Sequence, residues 1–199
     1  MANELSRLRR RPLLAPLLLP MLGLLAAAAG LYWIRSWDRT TTVVLLRHAE
    51  ADKPAGDPEL SNAGARRAAL LGEVIADLLP HQRVDYLYAA DTRRAQQTAA
   101  PIANQFQLPI NVLTGSDWAR LPQRLASEHH GRTIVVVGYA STLPAVIEGL
   151  SGQDVAIGAS EHDAIFVVVR PSSGEPRVLR LRYGDPTPRT ADVSPTLAN

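Results

Sequence analysis

Cysteine is absent from the 199-residue chain, so disulfides, zinc–thiolate sites and cysteine nucleophiles are all excluded. A basic surface is lacking too, although the formal net charge is +2. Arg7, Arg9, Arg10 and Arg11 against Glu4 put +3 into residues 1–12, which leaves about −1 for the remainder. Nucleic-acid binding needs basic residues clustered on the folded domain, and here they gather on a tail, so no nucleic-acid partner is expected. With 46% hydrophobic and 20% charged residues, the length suits one globular domain with appendages and is too short for two.

Charge is missing altogether from Leu13 to Ile34, a run of 22 residues. As a helix rising ~1.5 Å per residue it would be about 33 Å long, close to the ~30 Å core of a bilayer. Basic residues precede it, Asp38 follows, and Tyr32, Trp33 and Trp37 sit where an interfacial aromatic belt would lie. The expectation is a single transmembrane anchor over 13–35, with a cytoplasmic tail at 1–12 and the folded domain in the periplasm or outside. The alternative is a cleaved signal sequence, for which Ala26 to Ala29 offers small residues, giving a secreted protein.

Beyond a linker at 36–41, one domain is expected over 42–184 and a Pro- and Thr-rich disordered tail over 185–199. Residues 40–46 and 133–137 are β-branched apolar runs of the buried parallel-strand kind. Shorter strands are predicted at 85–89 and 110–113, and a hairpin at 164–170 and 177–182. Between them lie helical patterns at 61–79, capped by Ser61, and at 93–107, 119–130 and 143–150. The alternation predicts an α/β fold with a doubly wound, mostly parallel sheet flanked by helices.

Such sheets place their sites at the carboxyl ends of the strands. Three polar stretches follow strands here: Arg47-His48-Ala49-Glu50, Arg93 to Ala99, and Gly138 to Pro144. An arginine from each of the first two, a helix N-terminus from the third and His48 among them suit a phosphoryl dianion. Guanidinium donors match phosphate oxygens in pairs.

In order along the chain, RHAE at 47–50, LSNAGARRA at 60–68, RAQQTA at 94–99 and VVVGYASTLPAVIEGL at 135–150 resemble the signatures of the histidine phosphatase superfamily, the phosphoglycerate-mutase-like fold of branch 1. The resemblance covers about 42–170. It implies that His48 is the nucleophile that becomes phosphorylated. It also implies that Arg47 and Arg94 clamp the phosphate, with Ser141 beside the helix N-terminus as a further phosphate contact. No cofactor and no metal are implied. The family's second histidine, in its GHSN element, falls on Tyr139, which brings no positive charge.

The expectation is therefore a metal-independent phosphomonoesterase working through phospho-His48 on a phosphorylated small molecule or envelope component, weakened or retuned by Tyr139. The alternative is a pseudophosphatase that binds a phosphorylated ligand or partner without turnover. A phosphomutase is disfavoured because the segment between the strands at 110 and 133 leaves little room for an enclosing insertion. Asp117 is a candidate general acid, with capping of its own helix as the competing role. Glu50 and Arg93 are expected to orient backbone or cap a helix. His81, His129 and His130 are expected to be non-catalytic, and His162 is placed to lean toward the site only as a minor alternative.

Overall fold

A computed structural model describes residues 15–37, 40–52, 56–80 and 82–187. The basic tail at 1–12, His81 and the tail from 188 onward lie outside the described residues. The chain forms two units, 1–38 and 39–199.

The first unit contains one helix, α1 (Ala15–Trp37), in which Leu22, Leu24, Tyr32 and Trp33 are all exposed. Among the described residues no helix is long and apolar enough to cross a membrane. Of the span expected over 13–35 the structure describes a helix over Ala15–Trp37, with residues 13 and 14 outside the described part.

In the second unit the elements are β1 (Thr41–Arg47), α2 (Asn62–Leu78), β2 (Tyr86–Ala90), α3 (Arg93–Phe106), β3 (Ile110–Leu113), α4 (Asp117–Ser127), β4 (Thr133–Gly138), α5 (Leu143–Ser151), β5 (Ala164–Arg170) and β6 (Arg177–Arg182). They build a six-stranded sheet in the order β3-β2-β4-β1-β5-β6. The first four strands run parallel, and β5 and β6 are antiparallel additions at one edge. The sheet is mixed, and mostly parallel as the alternation predicts.

β1 lies at its centre, and Val43, Val44, Leu45 and Leu46 are buried on both faces. Val44 and Leu46 pack toward α2 and α3, while Val43 and Leu45 pack toward α4 and α5. Alternation of side chains along a strand divides them in this way. Two covered faces explain why β1 and β4 read as continuous apolar runs rather than alternating ones. Each fully buried side chain of this kind contributes about 1.5–3 kcal/mol.

Two residues of the LSNAGARRA segment, Ser61 and Gly64, hold the start of α2 against the loop after β1. Ser61 caps α2 by accepting from Gly64 N at 3.1 Å, and its own N–H donates to Glu50 O at 2.9 Å. A Cβ on Gly64 would sit 1.9 Å from Glu50 O, so only glycine lets α2 approach the loop after β1 this closely. Gly64→Ala is expected to destabilise the domain by at least about 1–3 kcal/mol, the usual cost of overpacking. A thermal melt checks this, and an unchanged midpoint would contradict the close approach.

Candidate active site

β1, β4 and β2 are neighbours and parallel, so the loops at their carboxyl ends converge. The first supplies Arg47 and His48, the second Tyr139, and the third Asp91, Thr92 and Arg94. A fourth segment joins them. Because β5 is antiparallel to β1, residues 158–163 before it arrive at the same end.

His48 is 7% exposed and fixed on three sides. Its backbone N–H donates to Gly138 O at 3.1 Å. Nδ1 is 2.8 Å from Ala49 O, which can only accept, so Nδ1 carries the proton. Nε2 then holds a lone pair and accepts from Arg94 Nε at 3.2 Å. Burial, with repulsion from Arg47 and Arg94, lowers its pKa to about 4, against the rise due to the Ala49 bond. The ring is therefore neutral at pH 7, the form in which a nitrogen can attack phosphorus. Loss of kcat/KM on the acid side through this group is expected near pH 4. A limb near the ordinary histidine value of about 6.5 would mean that the titrating group is not this buried ring.

The two arginines differ in how they are held. Arg47 donates from one terminal nitrogen to Gly158 O at 3.1 Å and to Ala159 O, while its buried Nε has no partner. Burial and the charge of Arg94 push its guanidinium below its usual value. Arg94 lies over the Tyr139 ring at 5.5 Å, and its nearest carboxylate is Asp57 at 3.5 Å. Two cations therefore act on a neutral imidazole, Arg94 paired with Asp57 and Arg47 held by backbone carbonyls.

RAQQTA has further work around this centre. Thr98 Oγ1 accepts from Ala49 N at 3.0 Å and donates to Arg94 O at 2.7 Å. Gln97 Oε1 accepts from Leu60 N at 2.9 Å. These bonds tie α3 to the His48 loop and to the start of α2. Asp57 accepts from Arg93 N at 2.9 Å, capping α3 where Thr92 makes no side-chain cap, and Arg93 itself pairs with Glu59.

Glu50 is bound by Arg67 of α2 through Nε at 2.9 Å to both oxygens, and through a terminal nitrogen at 2.8 Å. Burial pushes the Glu50 carboxyl up, but the Arg67 bonds outweigh it and hold the group below its usual value. Its role here is to join β1 to α2.

Tyr139 stands edge-on to His48 with ring centroids 6.0 Å apart. Its hydroxyl is turned away, to Thr92 Oγ1 at 3.1 Å and Asp91 Oδ1 at 3.2 Å. At the position the resemblance gives to the second histidine, Tyr139 forms a wall: its face holds Arg94 and its edge meets His48. Tyr139→Phe is expected to keep kcat within about a factor of ten, since the hydroxyl it removes is bonded to Thr92 and Asp91 and not to His48. Steady-state kinetics checks this, and a larger loss would restore the hydroxyl to the reaction.

Ser141 is exposed in the turn before α5 and is not joined by hydrogen bonds to His48, Arg47 or Arg94. Asp117 accepts from Thr114 N and Thr114 Oγ1, both at 2.9 Å, and these bonds hold its carboxyl below the usual carboxylate range. Asp117 is the first residue of α4, with Ser116 at the N-cap position, and its carboxylate closes the preceding turn on Thr114. His129 is buried against Tyr86 and bonded through Nε2 to Tyr88 OH at 2.8 Å, a core position, while His130 is exposed. Among the described residues no group of His, Cys, Asp or Glu is arranged to hold a metal ion.

His162 is the residue the motifs did not bring forward. Its Nδ1 donates to His48 O at 2.7 Å, and the two rings are 5.6 Å apart between centroids. A loop that precedes an antiparallel strand escapes the rule that sites follow parallel strands. The only sequence signal was a His-Asp pair just before β5.

The α/β fold, with His48, Arg47 and Arg94 gathered at its strand ends, is of the phosphoglycerate-mutase-like kind. Residues 43–115 match the profile of the histidine phosphatase superfamily (branch 1), a stretch that holds three of the four motifs, RHAE, LSNAGARRA and RAQQTA, and bears out the resemblance there. Among solved structures, the protein histidine phosphatase SixA bound to tungstate is similar at 19% identity and a TM-score of 0.57, over 71% of this chain and 96% of that one. Mycobacterial glucosyl-3-phosphoglycerate phosphatase is similar at 20% identity and 0.54, over 70% and 97%. A phosphoserine phosphatase from Entamoeba histolytica is similar at 16% identity and 0.55, over 72% and 98%. At these identities the likeness is one of fold. No curated protein matches the chain.

Proposed function

We propose that the chain is a phosphohydrolase of the phosphomonoesterase type that works through a phosphohistidine on His48. The observation that carries this reading is the His48 Nε2 lone pair, accepting from Arg94 Nε at 3.2 Å in a ring kept neutral at pH 7. When a phosphate monoester occupies the site, the Arg94 donor passes from Nε2 to a phosphoryl oxygen and frees the lone pair to attack phosphorus. The bond to the leaving oxygen breaks as the new P–N bond forms. Arg47 and Arg94 offset charge on the equatorial oxygens. The unpartnered Arg47 Nε supports anion binding, because a buried donor without an acceptor is costly until a ligand supplies one. The mechanism uses no metal and no cofactor.

The three residues between β3 and α4 leave no insertion to enclose a substrate, which favours hydrolysis over mutase chemistry. Relatives by fold that act on phosphohistidine proteins, phosphorylated sugar acids and phosphoserine keep a phosphoprotein and a small phosphomonoester both open as substrates. The competing reading, a pseudophosphatase that binds a phosphorylated ligand or partner, is favoured by Tyr139 alone. Hydrolysis of an aryl phosphate by the full chain in the presence of EDTA decides between them. Turnover is expected, and vanadate binding without turnover would establish the pseudophosphatase.

For location we propose attachment to a membrane through residues 13–35, with the domain on the periplasmic or outer side. The basic run before an uncharged stretch and the exposed apolar side chains of α1 support it. Secretion after cleavage is the alternative. Mass spectrometry of the mature N-terminus separates the two: retention of Arg7 to Arg11 is expected, and a start beyond Ala29 would mean cleavage.

A further inference from the structure

Arg47 is held by a turn that belongs to a distant part of the chain. One of its terminal nitrogens donates to Gly158 O at 3.1 Å and to Ala159 O. Both protons of that nitrogen are thereby taken, and the buried Nε is left without a partner. The turn is closed from two sides. Glu161 N donates to Gly158 O at 3.0 Å, and Gly158 N donates to the Glu161 carboxylate at 3.1 Å. Gly158 O therefore accepts from the turn and from Arg47 together.

Behind the turn, β6 meets the same carboxylate. Its second oxygen accepts from Arg182 at 2.8 Å and pairs with Arg180, while Asp163 pairs with Arg182 and accepts from Thr187. Glu161 is fully buried and Asp163 is 1% exposed. A buried carboxylate is tolerated where its charge is paired and its oxygens are hydrogen-bonded, and both acids satisfy this. A bonded path thus runs from β6 through Glu161 and the 158–161 turn to Arg47. We infer that Glu161 is a positioning residue for phosphate binding, braced by Arg180 and Arg182 so that the carbonyls of the turn fix the Arg47 guanidinium. This rests on the reading of Arg47 as a phosphate clamp and does not require turnover.

Position and charge act in opposite directions here, which makes the role separable from a general field. Burial and the charge of Arg94 lower the Arg47 guanidinium, and Glu161, together with Glu50, opposes them, so its charge reaches Arg47. By charge alone an acid at this place repels a dianion, and its removal should tighten anion binding. By position, its removal should weaken binding. The planar donors of an arginine match phosphate oxygens only in a fixed orientation, and a guanidinium released from Gly158 O and Ala159 O loses that orientation.

The test uses the full chain, with vanadate as the probe and titration calorimetry as the readout. Glu161→Gln keeps the shape and removes the charge, and its one oxygen cannot serve both Gly158 N and the two arginines. The expected result is a Kd for vanadate raised about tenfold or more, the scale of one charge-assisted hydrogen bond lost. In an Arg47→Lys background the same substitution should change Kd by less than about threefold, because the residue through which it acts is gone. Thermal melts set a temperature at which every variant is folded. Should Glu161→Gln not fold, Arg182→Gln leaves Arg180 on the carboxylate and carries the same cycle with Arg47→Lys. Unchanged or tighter binding in Glu161→Gln would overturn the inference, as would an equal loss in the two backgrounds. In both cases a wild type that binds vanadate, and an Arg47→Lys that binds it more weakly, leave the phosphate-clamp reading intact. A wild type that binds no vanadate sinks that reading as well.

Discussion

His48→Ala is expected to lower kcat/KM for an aryl phosphate by about 10³-fold or more, the scale on which removal of a covalent nucleophile acts. The loss should fall mainly on kcat, since Arg47 and Arg94 remain to bind the ester. The fold should survive. The backbone bond from residue 48 to Gly138 O is independent of the side chain, and the imidazole's own partners are Ala49 O and the movable Arg94. A melt within a few degrees of wild type, together with retained vanadate binding, would attribute the loss to chemistry. Equal losses in binding and turnover would point to collapse of the pocket.

The second large effect is on stability. Glu50→Ala removes the carboxylate that Arg67 holds through both oxygens, and Arg67 is only 7% exposed. What remains for its guanidinium is Tyr183 O at 3.1 Å and the face of the Tyr183 ring at 5.7 Å. Stranding a buried charge costs about 3–5 kcal/mol, and because Glu50 is 24% exposed the lower part of that range applies. Chemical denaturation measures it. The same pair gives a pH dependence of known sign. The folded-state pKa of Glu50 is depressed, so its contribution is complete above the unfolded value of about 4.3 and is lost as the pH falls through the folded one. Glu50→Gln should flatten the acid limb of stability in that window, and an unchanged limb would assign it to other carboxylates.

Most of the fold was legible because its signals are local. The apolar runs of β1 and β4 needed two covered faces, and Ser61 and Gly64 fixed the start of α2. The elements α2, α3 and α5 begin or end within a residue or two of the expected positions. α4 was less well placed. It starts at Asp117 because that side chain closes a turn on Thr114, and it ends at Ser127, short of the expected 130, because His129 turns inward to Tyr88. The length of α1 was visible in the uncharged run from Leu13 to Ile34.

The candidate site was legible where motif residues meet their partners through adjacent parallel strands, as His48, Arg47 and Arg94 do. It was not legible where function enters by direction of the chain. Nothing in a β-branched run tells whether β5 lies parallel or antiparallel beside β1. That single reversal brings residues 158–163 and His162 to the site. Tyr139 shows the complementary limit. Its position in the motif predicted the right neighbourhood, but a longer side chain carries its hydroxyl past the phosphoryl space to Asp91 and Thr92. Asp117 and Ser141 were chosen by their place in the chain, and their partners or exposure set them apart from the His48 cluster.

The central claim is that Nε2 of His48 becomes covalently phosphorylated. Mixing the full chain with excess aryl phosphate, quenching in alkali within the first turnover and sequencing the modified peptide tests it directly. The account predicts a single acid-labile phosphoryl group on the peptide containing His48, absent from His48→Ala and chased by dilution into inorganic phosphate. Turnover that proceeds at the wild-type rate with no phosphoryl group on His48 at any quench time would contradict it.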